Sequence, residues 1–94
     1  MTSEHHLVRV TWIDAHAVTD TWTPISELDD EPCVVTSVGL LLRDSKPGHV
    51  VIAQSHIADQ DDVDGVLAIP SSMVTRMEDL CVHPLFPVEP PDPF

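Results

Sequence analysis

Near its C-terminal end the chain carries a short apolar segment, residues 66–69, that stops at Pro70. Proline has no backbone N–H and cannot continue a ladder of strand hydrogen bonds, so this segment predicts a strand that ends there. Ser71 and Ser72 then predict a short turn, and a second apolar segment follows over residues 73–80. The second segment also fits the spacing of a helix, but its context favours a strand. Two successive strands joined by one turn favour a mainly β fold.

The chain before this region also has the pattern of strands. Residues 7–15 alternate between two faces, with Val8, Val10 and Trp12 on the same one. Gly39 lies in the middle of the next apolar stretch, where a glycine predicts a bulge or a sharp bend. We expect five strands, at residues 7–15, 33–43, 49–57, 66–69 and 73–80.

Residues 19–30 break the strand pattern. Pro24 suits the first position of a helix, and Ile25 and Leu28 are three residues apart. We therefore expect one short helical turn that packs Trp22, Ile25 and Leu28 onto the sheet.

The C-terminal end changes character at Cys81. Five of the residues from position 81 to 94 are prolines, a density that no helix or central strand tolerates. This composition predicts an extended, polyproline-like tail with apolar residues that could dock on the domain or on a neighbouring subunit. We therefore expect a small β domain, which the resemblance described below implies is a barrel, at residues 1–80 and a tail at residues 81–94.

Charge is the strongest compositional signal. Sixteen acidic residues face four basic ones, for a formal net charge of −12. A field of this sign repels phosphate backbones, so direct nucleic-acid binding is disfavoured. The apolar runs are shorter than the ~20 residues that span a bilayer, and the two cysteines are too few for a disulfide framework. We expect a cytoplasmic protein with reduced thiols and no membrane partner.

The sequence contains no recognisable catalytic motif. Ser71 and Ser72 lack the flanking glycines of a hydrolase elbow. Cys81 and His83 lie close together, but nothing nearby would orient them as a nucleophile and its base. No phosphate-binding loop or dinucleotide fingerprint is present. We expect a protein without enzymatic activity and without a cofactor.

Histidines and aspartates raise the question of a metal. His5, His6, His16 and Asp14 could converge near the first strand, but their spacing matches no common zinc motif. The acidic loop at residues 59–65 lacks the glutamate that completes a calcium loop, and no helices flank it. We interpret both groups as solvated, so the sequence predicts no metal site.

Two arginines are placed where a small anion could be held. Arg9 and Arg43 are predicted to lie within strands, where an arginine can pair with Asp14 or Glu78 or bind an anion bidentately at a subunit seam. The two tryptophans are either core anchors or a stacking platform for a base. The candidate ligand-binding residues are Arg9, Trp12, Trp22, Arg43, Ser71 and Ser72.

The acidic loops suggest a second kind of binding. A negative surface suits a basic protein partner, or imitates nucleic acid towards a nucleic-acid-binding protein. The candidate contact residues are Glu27, Asp29, Asp30, Glu31, Asp59, Asp61, Asp62 and Asp64. Solubility alone is the simpler explanation of the same charge.

The order of strands, turn and final motif over residues 37–80 resembles the Sm-like fold of bacterial Hfq-type proteins and the related SH3-like barrels. In those proteins too, a strand is followed by a tight turn and a short last strand, as in VLAIPSSMVTRM here. The resemblance implies a small five-stranded barrel that assembles through its edge strands. The aromatic and basic signature with which such rings hold RNA is absent from this chain.

The runs VTWIDA, SVGLLLRD and VLAIPSSMVTRM also resemble small uncharacterised proteins of actinobacterial phages, over residues 8–77. That resemblance implies a phage-encoded protein that binds a host component, and no activity that transfers by residue. Three hypotheses follow for a homo-oligomer: sequestration of a small anionic, nucleotide-like ligand, inhibition of a basic host protein, or a structural role as an accessory subunit.

Overall fold

A computed structural model of the chain describes residues 5–83. Within these residues it has five strands and two 3₁₀ turns. The strands are β1 (Leu7–Asp14), β2 (Cys33–Leu41), β3 (His49–Ile57), β4 (Asp62–Pro70) and β5 (Val74–Asp79), and the turns are Ile25–Glu27 and Ser71–Met73. The predicted mainly β class is confirmed, while most of the predicted proline-rich tail lies outside the described residues.

The five strands form one open antiparallel sheet in the order β4-β3-β2-β1-β5. β1 pairs along its length with β2, and on its other side with β5. β3 and β4 form a hairpin that is paired at eight positions, with a gap at Gln54 and Gly65. β2 and β3, by contrast, pair only at Leu40 with Ala53 and at Leu41 with Ile52. The sheet therefore consists of a three-stranded part and a hairpin that meet over a short stretch.

Gly39 lies beside this short stretch. A Cβ atom built on Gly39 would lie 2.9 Å from the carbonyl oxygen of Ala53 and 3.1 Å from the Cβ of Ile52. The first distance is too short for a Cβ atom against backbone and the second is tight, so the close approach of β3 to β2 favours glycine at this position. This contact explains why a glycine lies within the apolar stretch that forms β2.

The core packs on one face of β1 and includes residues from both the three-stranded part and the β3–β4 hairpin. Its central residues are Val8, Val10, Leu41, Ile52 and Ile69, with Trp12, Val50 and Val74 packed against them. Full burial of such an aliphatic side chain stabilises a fold by about 1.5–3 kcal/mol. The shared face of Val8, Val10 and Trp12, predicted from their alternation, is therefore the face that packs.

β4 begins at Asp62 and is longer than the predicted strand of residues 66–69. The aspartates before Gly65 have low strand propensity and were predicted to belong to a loop. They nevertheless pair with β3, with Asp64 opposite Ser55 and Asp62 opposite Ile57. Gly65 has a φ of +65°, which a glycine adopts without the strain that a side chain would cause.

The prediction that Arg43 lies within a strand is wrong. β2 ends at Leu41, and Arg43 lies in the turn that leads to β3. Two residues of this turn, Asp44 and Gly48, have positive φ values of 56° and 71°. Backbone in this left-handed region cannot continue a strand, so the turn begins earlier than the apolar pattern indicated.

The strand interpretation of the last apolar segment is confirmed over the helical one. β5 runs from Val74 to Asp79, while Met73 ends the 3₁₀ turn that follows Pro70. Pro70 is the last residue of β4, as its missing N–H predicted.

The predicted helical turn exists at Ile25–Glu27, but the packing expected for it is wrong. Trp22 is fully exposed, and Ile25 is 86% exposed. A 3₁₀ turn of three residues is too short to hold Trp22, Ile25 and Leu28 on one face. The two 3₁₀ turns are the only helical elements between residues 5 and 83, and neither is long enough to cross a membrane.

Candidate functional site

Arg9 lies opposite Glu78 in the register of β1 and β5. Its guanidinium donates from Nε to Oε1 of Glu78 at 3.0 Å and from Nη2 to Oε2 at 2.9 Å. A second guanidinium, that of Arg76, has its Nη2 atom 3.2 Å from the same Oε2. The prediction that a strand arginine pairs with Glu78 is thus confirmed, and this carboxylate accepts hydrogen bonds from Arg9 and forms a second ion pair with Arg76.

This arrangement favours the charged forms of Glu78 and Arg9. The hydrogen bonds from Arg9 lower the pKa of Glu78, with the positive charges of Arg76 and Arg9 acting in the same direction. The same hydrogen bonding to Glu78 raises the pKa of Arg9. A bidentate anion would therefore have to displace Glu78 from the guanidinium of Arg9.

The two tryptophans have different surroundings. Trp12 is half-buried against the core, and its Nε1 donates to the hydroxyl oxygen of Ser37 at 3.0 Å. Trp22 borders an open depression of about 530 Å³ that is lined by Thr19 to Thr23 and by Leu28. Trp12 does not line that depression, so the structure supports an anchoring role for Trp12 and no shared stacking platform.

The remaining predicted ligand-binding residues are exposed. Arg43 lies in the β2–β3 turn, and Ser71 and Ser72 lie in the 3₁₀ turn between β4 and β5. The backbone N–H of Ser71 donates to the carbonyl oxygen of Gly48 at 2.9 Å, which ties this turn to the start of β3. In the part of the chain that the structure describes, no hydrogen bond or ion pair joins any two of the six predicted ligand-binding side chains.

All eight predicted contact acids are exposed and fall into two groups. The first group begins at Glu27, the last residue of the 3₁₀ turn, and continues to Glu31, whose N–H donates to the carboxylate of Asp29 at 2.9 Å. The second group occupies the tip of the β3–β4 hairpin. Across residues 5–83, Glu78 is the only carboxylate within ion-pair distance of an arginine or lysine. The two acidic groups therefore present charge that no arginine or lysine neutralises.

One cluster was not predicted. His5, just before β1, lies beside His56 of β3 and Asp61 of the hairpin turn. The Nε2 atom of His56 is 2.7 Å from Oδ1 of Asp61, and Nε2 of His5 is 3.7 Å from the same oxygen. The two imidazole rings meet edge to face with centroids 4.7 Å apart. The Nε2 atom of His5 is buried and has no hydrogen-bond partner.

The charge of Asp61 follows from this contact. Its hydrogen bond with His56 is the main cause of a lowered pKa, reinforced by the charges of His56 and His5 and opposed by partial desolvation. Asp61 also has a φ of +55°, a left-handed conformation that aspartate and asparagine tolerate better than most residues. The turn therefore positions an ionised carboxylate against two imidazoles.

Sequence reasoning missed this cluster because it searched for partners of His5 among nearby residues. The adjacent His6 does not belong to the cluster, because its Nδ1 atom lies 3.7 Å from Oδ1 of Asp79. The turn that carries Asp61 could be predicted, but its contact with His5 joins residues far apart in the sequence. No local pattern encodes such a contact. Comparison of the chain with known protein families, curated proteins and solved structures finds no match.

Proposed function

We propose that this protein is a non-enzymatic binding module whose acidic surface engages a basic protein partner. The observation that carries the proposal is the charge balance of the described surface. Two of the chain's four basic residues, Arg9 and Arg76, are bound to Glu78. The exposed acids of the hairpin tip and of residues 27–31 thus have no lysine or arginine partner of their own, and a basic surface would supply one.

The hairpin tip is the better organised of the two acidic groups. Asp62 and Asp64 belong to β4 and are fixed by pairing with β3, and Asp59 lies in the adjoining turn. Residues 29–31 lie outside the strands. A surface that is already ordered loses less conformational entropy on binding, so we place the main contact at the tip.

Two charge-matched variants test this proposal. One replaces Asp59, Asp62 and Asp64 with asparagine, and the other replaces Asp29 and Asp30 with asparagine and Glu31 with glutamine. The immobilised proteins are offered host lysate, and a retained basic protein is identified and then titrated in pure form across a salt series. We expect at least about a tenfold loss of affinity in the tip variant, little change in the other, and weaker binding to the unaltered protein as salt rises.

Equal losses in the two variants would mean that net charge alone attracts the partner, which contradicts a specific surface. Binding that does not respond to salt would contradict the electrostatic basis of the proposal.

Sequestration of a small anionic ligand stays a prediction with less support. The guanidinium of Arg9 already holds Glu78, and Arg43 lies in a turn. The phage origin suggested by the sequence is compatible with either kind of binding.

We further propose that the sheet is of the Sm-like or SH3-like barrel type and that copies assemble through their edges. The order β4-β3-β2-β1-β5 supports this proposal, as does the single 3₁₀ turn that joins β4 to β5. β4 is an edge strand that exposes Val63, Val66 and Leu67. An apolar edge with unpaired backbone groups favours pairing with a second chain.

A further inference from the structure

We propose that His5, His56 and Asp61 form a binding site for a divalent transition-metal ion, a function beyond contact of the hairpin tip with a protein partner. One ligand atom from each residue lies within 4.8 Å of the other two. Ligands that bind zinc tetrahedrally at 2.0–2.1 Å lie roughly 3.3 Å from one another. The three atoms would therefore need to approach one another by up to about 1.5 Å to hold one ion.

The state of His5 supports the proposal independently of the distances. Its Nε2 atom is buried without a hydrogen-bond partner, and it lies 3.7 Å from Oδ1 of Asp61. A buried polar atom without a partner carries a cost and calls for a specific explanation, such as a bound ion. A neutral imidazole nitrogen is also the commonest protein ligand for such metals.

The types of the ligands indicate which metals fit. Two imidazole nitrogens and one carboxylate oxygen suit zinc, nickel, cobalt or copper, whereas calcium and magnesium prefer oxygen atoms alone. Three protein ligands leave a fourth position of a tetrahedral ion for water or for a group of a partner. The exposed acids on either side of Asp61, at Asp59 and Asp62, favour accumulation of cations at the hairpin tip.

The test is a titration of the untagged, full-length protein with zinc ion alone, after removal of metal by a chelator. We expect one zinc ion per chain with a dissociation constant below about 10 µM. His5→Ala, His56→Ala and Asp61→Asn should each weaken binding at least about tenfold. Asparagine is chosen at position 61 because it tolerates the positive φ of the turn.

His16→Ala is the matched control, because it also removes one histidine but lies outside the cluster. It should bind zinc as the unaltered protein does. Circular dichroism spectra of the metal-free variants establish that each one is folded. No binding below about 100 µM, or equal binding by folded His5→Ala and His16→Ala, would overturn the proposal.

Discussion

Glu78 is the residue on which the charged face of β1 and β5 depends. It accepts two hydrogen bonds from Arg9 and lies within 3.2 Å of Arg76. Because its pKa is lowered in the folded protein, its interaction stabilises the fold fully above the ordinary glutamate value of 4.5. The stabilisation is lost as pH falls through the lower folded value.

We therefore expect Glu78→Gln to lower the free energy of unfolding at pH 7 and to have less effect in strong acid. The difference between the variant and the unaltered protein should shrink as pH falls below 4.5. Denaturant unfolding across this pH range measures it. Glu27→Gln removes an exposed acid without an arginine partner and serves as the control. An equal pH response from both variants would contradict the role of the arginines.

Individual residues show where sequence reasoning succeeds. Asp14 and Glu78 were predicted as possible partners of the strand arginines, and the register of β1 and β5 places Glu78 opposite Arg9. The common face of Val8, Val10 and Trp12 followed from alternation alone. His5 and Asp61 could not be matched in this way, because they lie far apart in the sequence and meet only in the folded chain.

At the scale of elements, the sheet has two edges that differ in chemistry. β4 exposes Val63, Val66 and Leu67, while β5 exposes Met77 beside charged side chains. If copies pair through β4, a lysine at its centre should oppose that pairing.

Val66→Lys should lower the solution mass from that of an oligomer to that of a monomer at equal protein concentration. Sedimentation velocity measures the change. Val34→Lys is the matched control, because Val34 is similarly exposed but belongs to β2, inside the sheet. A monomeric unaltered protein, or equal dissociation by both variants, would contradict assembly through β4.

Strand boundaries mark where sequence reasoning about elements fails. β4 extends back to Asp62 because pairing with β3 outweighs the low strand propensity of aspartate. β2 stops at Leu41 because the next turn adopts left-handed backbone. In both cases a partner strand or a turn decided the boundary, and neither is visible in the local pattern.

At the scale of the whole molecule, the net charge of −12 acts on the stability of the fold. Acids crowded on a small surface repel one another, and added salt screens that repulsion. We expect the melting temperature to rise by about a few degrees between 10 mM and 500 mM sodium chloride, measured by calorimetry.

The variant with Asp59, Asp62 and Asp64 replaced by asparagine has fewer acids and should show a smaller rise. Sucrose, which carries no charge, separates screening from general effects of a cosolute, because it should raise both proteins equally. A melting temperature that falls with salt would show that favourable ion pairs outweigh repulsion.

The two parts of the sheet are held together differently from the strands within each part. β2 and β3 share two paired positions and a bond from the N–H of Leu42 to the carbonyl oxygen of Val51. Ile52 and Ile69 of the hairpin instead pack against Val8, Val10 and Leu41 of the other part. Apolar contact weakens on cooling, unlike a backbone ladder. Low temperature, more than heat, is thus the condition in which the hairpin would part from an otherwise intact three-stranded sheet.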